Sequence, residues 1–348
     1  MVILPLALLM TAPLVPRTAI DFRQPQVAAS DRMVAVTFGS RNSIFFTASR
    51  DQGKTFTSPR KVAEPGALAL GMHRGPRIAI TPLAVVITAV AGAQGKGMDG
   101  DLLAFRSTDG GVSWSAGTAV NDVPGSAREG LHAMAANANG LLYVAWLDLR
   151  SKGTHLYGAS STDGGLTWSK NVLVYESPSG SICQCCHPSL AIAPSGEIYA
   201  MWRNEIDGFR DMYFASSTDG GKTFGKAAKI GAGTWKLNAC PMDGGGIAIT
   251  PDNKLVSAWR RESSIYLAQG EEVEHLMEEG KNAAIAATSQ GVFAIWQTQI
   301  GLRARIPGNK DPFIVDTEGE YPQLAALPNG SVLATWERKG VIQFRILP

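Results

Sequence analysis

The chain has 348 residues, 45% of them hydrophobic, with a net charge of +2. That balance supplies a large core and carries no basic stripe or acidic tail, so nucleic acid is excluded as a favoured partner. The 38 glycines and 19 prolines argue for many tight turns and against long helices, in one all-β body or two average domains.

The first sixteen residues, MVILPLALLMTAPLVP, form an apolar run with small residues near its end. The run is similar to the hydrophobic core of a secretory signal, although it lacks a basic start, and it is too short and proline-broken to span a bilayer. The other reading is an outer strand or buried arm of the fold. Residues 1–20 thus stand apart as an apolar N-terminal segment, and residues 21–348 are expected to form a single domain without an integral membrane span.

Two repeats run along that domain out of phase. SRDQGKTF (49–56), STDGGVSW (107–114), STDGGLTW (161–168) and STDGGKTF (217–224) share one pattern, with Asp51, Asp109, Asp163 and Asp219 spaced by 58, 54 and 56 residues. The pattern is that of a hairpin turn: Asp accepts backbone hydrogen bonds, Gly permits positive φ, Ser or Thr ties the ends, and the aromatic packs inward between sheets. These aspartates are structural staples rather than catalytic candidates.

The second repeat comprises PQVAAS (from Pro25), PRIAIT (Pro76), HAMAAN (His132), PSLAIA (Pro188), GGIAIT (Gly245), AAIAAT (Ala283) and PQLAAL (Pro322). Each precedes a turn and a hydrophobic strand that usually ends in an aromatic: Phe38, Trp146, Trp202, Trp259, Trp296 or Trp336. Small residues alternating with aliphatics suit an innermost strand crowded around an axis, and the aromatic-ending strand suits the middle of a blade. The fold read from this pattern is an all-β propeller of seven blade-like repeats, with six blades as the alternative. GEEVEHLMEEG (270–280) is expected on an exposed loop or hairpin, and the last two units, 38 and 39 residues from the previous register point, lack the turn motif.

The combination resembles the sialidase superfamily, whose turn motif is the Asp box or BNR repeat, over nearly the whole chain. The resemblance implies an exo-α-sialidase or related glycoside hydrolase acting on anionic sugars, with a sialoside or other glycan as partner. It requires no cofactor and fits a monomer in an extracytoplasmic, secreted or periplasmic location. In DFRQPQV, Arg23 matches the arginine that binds the substrate carboxylate. In YPQLAALPNGSVLATWE, Tyr321 matches the nucleophile and Glu337 the glutamate that braces the first arginine. Arg203, closing HPSLAIAPSGEIYAMWR, matches the second carboxylate-binding arginine, and Arg260, with Arg261 as the neighbouring choice, the third. Planar guanidinium groups suit a carboxylate through paired hydrogen bonds, and a tyrosine nucleophile avoids repulsion from an anionic sugar.

Two positions depart from the pattern. Gly75, in HRGPRIA, stands where the acid/base aspartate belongs, leaving His73 or Asp99 as substitutes, and His187 stands where the glutamate that activates the tyrosine belongs. A noncatalytic propeller that binds a soft metal, or a glycan- or protein-binding scaffold, therefore stays open beside the hydrolase.

Cys183, Cys185, Cys186 and His187 lead into the fourth inner strand, while NACPMDGGG places Cys240 and Met242 at the same point of the fifth. The register is thus expected to bring the four cysteines together near the channel mouth. Three readings compete: a disulfide between blades, a thiolate, imidazole and thioether set for copper or zinc, and reduced inert thiols. In an extended segment Cys183 and Cys185 would share a side about 7 Å apart, with Cys186 pointing away unless the chain turns.

Overall fold

The computed structural model describes residues 12–14, 21–270 and 274–348. These residues form seven antiparallel sheets and, among them, no helix. The innermost strands are Arg23–Ala29, Arg77–Ile80, His132–Ala136, Ser189–Ile192, Gly246–Ile249, Lys281–Thr288 and Glu320–Ala326. Each touches the next in order, and the last touches the first, so the sheets close into a seven-bladed propeller. The six-bladed alternative is thereby excluded. No helix of the described residues is long and apolar enough to cross a membrane.

The second strand of each blade carries the core. Phe38, Trp146, Trp202, Trp259, Trp296 and Trp336 all sit on these strands and are buried. Three of these five buried indoles are held by carboxylates: Trp146 Nε1 donates to Asp148 (2.8 Å), Trp296 to Glu278 (2.7 Å) and Trp336 to Asp316 (2.9 Å). The indole N–H of Trp202 has no partner.

The four repeated turns share one geometry. Asp51 accepts from Ser49 Oγ, from the backbone N–H groups of Lys54 and Thr55, and from Thr55 Oγ1 at 2.6 Å. Asp109, Asp163 and Asp219 repeat the arrangement. All their acceptor capacity is spent inside the turn, which leaves these carboxylates no catalytic role. The aromatic of the turn reaches the preceding blade: Trp114 packs edge-on against Phe46, Phe56 against Phe344, and Phe224 against Tyr143.

Residues Ala12–Pro13 pair antiparallel with Val341–Leu347, as the outermost strand of the seventh blade. Proline is tolerated there because an edge strand leaves its missing N–H without a required partner. Leu14 is buried and its N–H donates to Ile342 O (2.9 Å), and the remainder of the apolar N-terminal segment lies outside the described residues. His275–Glu279 forms the outermost strand of the fifth blade, paired with Ser264–Gln269, so the acidic stretch makes one arm of a hairpin.

Candidate active site at the channel mouth

Three inner strands carry the same irregularity at the same point. The register slips between Arg23 and Gln26, between Lys281 and Ala284, and between Glu320 and Gln323. Gln24, Asn282 and Tyr321 take left-handed φ values of 55°, 55° and 50° within these bulges. A non-glycine residue held there costs on the order of 1–3 kcal/mol, and a bulge re-aims the side chain it carries. The sequence register puts all three, with His187 and Gly75, immediately before the small-residue inner strand.

His73 reaches the same place by another strained device. Gly71 and Arg74 exchange backbone hydrogen bonds (2.9 and 3.0 Å) around Met72 and His73, whose φ values are 51° and 65°. Two central residues with positive φ make a type I′ turn, normally the province of Asn-Gly. Buried Arg77 pins this turn, donating to the carbonyls of His73, Gly75, Pro76 and His132. No carboxylate faces that guanidinium among these contacts, and burial pulls it down to about 10.

The polar groups form a connected chain. Asn282 Nδ2 donates to Gln297 Oε1 (2.8 Å), so its Oδ1 accepts from His73 Nε2–H, also at 2.8 Å. Gln297 in turn donates to Glu320 (3.2 Å). Buried Asp243 accepts from the backbone N–H groups of Asn282 (2.8 Å) and Gly245 (3.2 Å). The His73 ring stacks on His187 with centroids 4.1 Å apart and meets Tyr321 edge-on at 5.1 Å. Burial holds His73 below its free value against the pull of Asp243, so its imidazole is neutral with Nδ1 carrying the lone pair.

Tyr321 is half-buried, and burial, then the charges of Glu337 and Glu320, push its phenol up. Glu337 is also pushed up by burial, although it accepts from the Gln24 N–H (2.8 Å) and faces Arg23 at 3.6 Å. Arg23 stays well exposed, so much of its guanidinium fork is turned to solvent. The structure therefore joins Arg23, Glu337, Tyr321 and His73 at one mouth. The channel beneath holds a cavity of about 150 Å³ lined by Gln26, His73, Arg77, His187, Asn282 and Gln323.

Other candidates are placed elsewhere. Arg203 is buried, and its three nitrogens bond the carbonyls of Asp243 (3.0 Å), Arg210 (2.6 Å) and Arg260 (2.8 Å). It staples the fourth blade to the fifth instead of presenting a free fork. Arg260 stands on the lip of a separate cavity of about 790 Å³ with Glu278 and Arg303, and Arg261 is consumed by Glu274. Asp99 accepts the N–H groups of Ala93, Gln94 and Gly95, which holds its carboxyl low and makes it a loop organiser. His187 accepts from the Gly244 N–H at Nδ1 (3.3 Å) and donates from Nε2 to Gly245 O (3.1 Å). Both nitrogens being engaged, it acts as a floor under His73 rather than as a proton carrier or metal ligand.

The expected four-cysteine group is also corrected. A tight turn at Gln184–Cys185 bends the chain, and the sulfurs of Cys183, Cys185 and Cys186 converge while Cys240 is exposed and apart from them. Met242 packs against the three thiols. Sequence reading missed Asn282 and Asp243. Asn282 stands at the same register point as His187 and Tyr321, which the resemblance singled out, whereas Asp243 carries no signal beyond its glycine-rich flank.

Residues 30–183 and 83–332 match the BNR repeat-like domain family. The chain belongs to that family. No curated protein matches this BNR-repeat chain. Its propeller is similar to that of the Penicillium chrysogenum α-L-arabinanase, at 12% identity and a TM-score of 0.59, covering 97% of this chain and 98% of that one. The intramolecular trans-sialidase of Ruminococcus gnavus shares the fold at 12% identity and a TM-score of 0.55, with 94% of each chain covered. An ulvan lyase does so at 9% identity and 0.60, over 97% of this BNR-repeat chain and 96% of the lyase.

Proposed function

We propose that the channel mouth binds a carboxylated sugar and hydrolyses its glycosidic bond, with Tyr321 as nucleophile. The observation that carries this reading is the convergence of a solvent-facing arginine, a half-buried tyrosine and a neutral histidine: Arg23 faces Glu337 at 3.6 Å while the His73 ring meets Tyr321. Two structurally similar propellers were solved with anionic ligands, oseltamivir carboxylate in the trans-sialidase and a GlcA(1-4)Rha3S oligosaccharide in the lyase.

The phenol is protonated at rest, so it needs a base, and the free lone pair of His73 supplies one. In the first step the Tyr321 oxygen bonds to the anomeric carbon, the glycosidic C–O bond breaks, and the phenolic proton passes to His73. With Gly75 offering no acid, the leaving oxygen takes its proton from water. In the second step water attacks the same carbon, the tyrosine oxygen leaves and recovers the proton from His73, and the proton of the attacking water returns to solvent. Arg23 holds the sugar carboxylate throughout, and Glu337 fixes Arg23 and the Gln24 bulge.

The test is turnover of a panel of aryl glycosides of sialic acid, glucuronic acid and arabinofuranose, with ultraviolet detection of unsaturated uronate products from polysaccharides. Hydrolysis of a carboxylated substrate by the native chain, lost in Tyr321→Phe, supports the reading. Unsaturated product would make the site a lyase, and no turnover across the panel between acid and neutral pH would overturn catalysis altogether.

A further inference from the structure

We infer that Cys183, Cys185 and Cys186 form a binding site for one copper(I) ion, closed on one side by Met242. The site is independent of the glycan reading, since none of its sulfur donors takes part in the chemistry at Tyr321.

The turn at Gln184–Cys185 brings the three sulfurs into a triangle with edges of 3.3, 3.6 and 4.0 Å. Metal–sulfur bonds of about 2.3 Å in a tetrahedral or trigonal site require sulfurs about 3.8–4.0 Å apart, so the ion fits with shifts of a few tenths of an ångström. All three thiols are buried, and none is bonded to another. The loop is anchored where Cys183 N donates to Arg203 O (3.1 Å), at the end of the second strand of the fourth blade. A preformed trio of this kind avoids most of the ordering cost of assembling a site from a mobile loop.

The donor set selects the ion. Thiolates and a thioether are soft ligands, and no carboxylate or imidazole nitrogen joins them among the described residues. That chemistry favours copper(I) over zinc, which readily takes imidazole or water as a fourth ligand, and over hard cations. Loading is a ligand exchange: three S–H protons leave to solvent as three copper–sulfur bonds form, with no change of oxidation state. The guanidinium of Arg210 beside Cys183, together with Arg203 behind Cys186, offsets the negative charge of the thiolate cluster. The ion would sit next in sequence to His187 and so fix the segment that floors His73.

The full chain, reduced and kept anaerobic, is titrated with copper(I) against bathocuproine disulfonate, followed by copper X-ray absorption. The inference expects one copper per chain, an all-sulfur shell, and at least a hundredfold weaker retention in Cys185→Ser. Cys240→Ser and His187→Ala should bind as the native chain does. Because a cysteine variant could misfold, the native shell decides: nitrogen or oxygen in place of sulfur, preference for zinc in direct competition, or no uptake by the folded reduced chain would overturn the assignment. A disulfide within the trio that persists after reduction would do the same.

Discussion

The rings of His73 and His187 lie face to face, 4.1 Å between centroids and 24° from parallel, although they come from different blades. His187 has no free nitrogen, so its contribution to His73 is a dry, flat surface that keeps water from one face of the ring. His187→Ala should admit water there and let the His73 value rise toward 6.5. The acid limb of the kcat/KM profile then moves to higher pH, with KM little changed. An unshifted limb would separate the stack from the proton transfer.

Gly75 leaves the leaving group without a protein acid, which normally contributes about 10²- to 10⁴-fold. Aryl glycosides with acidic phenol leaving groups should therefore outrun matched alkyl glycosides by at least about a hundredfold in kcat, measured on one sugar. Equal rates would mean that an acid other than one at position 75 serves the site.

Restoring that acid should fail by sterics. Gly75 has φ of 152°, and a Cβ on it would stand 2.8 Å from Gln24 Cβ. Gly75→Asp should cost about 1–3 kcal/mol by overpacking, read from urea denaturation, and Gln24→Gly in the same chain should recover part of it. A fully stable single variant would show that the bulge at Gln24 yields.

The buried tryptophans give a matched pair. Trp336→Phe loses a hydrogen bond to Asp316, whereas Trp202→Phe removes an indole N–H that has no partner. Both lose similar packing, so the first should cost more than the second by about 1–3 kcal/mol. Equal denaturation midpoints would place a partner on the Trp202 indole.

His73, His132 and His187 are all held below the free value of 6.5, chiefly by burial, with His132 pushed down to about 3. As pH falls through 6.5 the unfolded chain takes up protons that the folded chain refuses. Stability is thus full above 6.5 and declines toward the folded values. Each histidine adds up to about 1.4 kcal/mol per pH unit to that slope, and His132→Gln should remove one such share. Glu337, raised by burial, acts with the opposite sign over its own range above 4.5. Denaturation midpoints of the two chains at pH 7.5, 6 and 5 provide the check, and parallel slopes would contradict a neutral His132.

The seven-bladed ring was legible in the sequence because a propeller repeats one local solution: the small-residue inner strand that runs on from Pro25, Pro76 or Pro322, and the aromatic that usually ends the next strand, recur whatever the function. Arg23, Glu337 and Tyr321 were named through the sialidase resemblance, and the structure places Arg23 beside Glu337 and Tyr321 beside His73. Arg203 was misread, because its position in the register is right while its environment is not: burial and three carbonyl acceptors turn the fork into a staple. Cys240 was misplaced for a related reason, since register fixes which blade a residue belongs to and says little about the loop that carries it. His73 escaped a firm reading because its place depends on a two-residue turn of Met72 and His73 that no turn propensity suggests.

The pairing of Pro13 with Gln343 has a consequence for biosynthesis. A chain emerging from the ribosome displays Ala12 and Pro13 long before their partner strand Val341–Leu347, so this pair cannot lock the ring until that strand has emerged. Until the seventh blade has emerged, the first blade presents to the surrounding solution the apolar face around Val34 and Phe56 that Leu327, Leu333 and Phe344 cover in the ring. The vulnerable species is therefore the nascent chain whose seventh blade has not yet emerged, and handling by chaperones should matter most while that blade is being made.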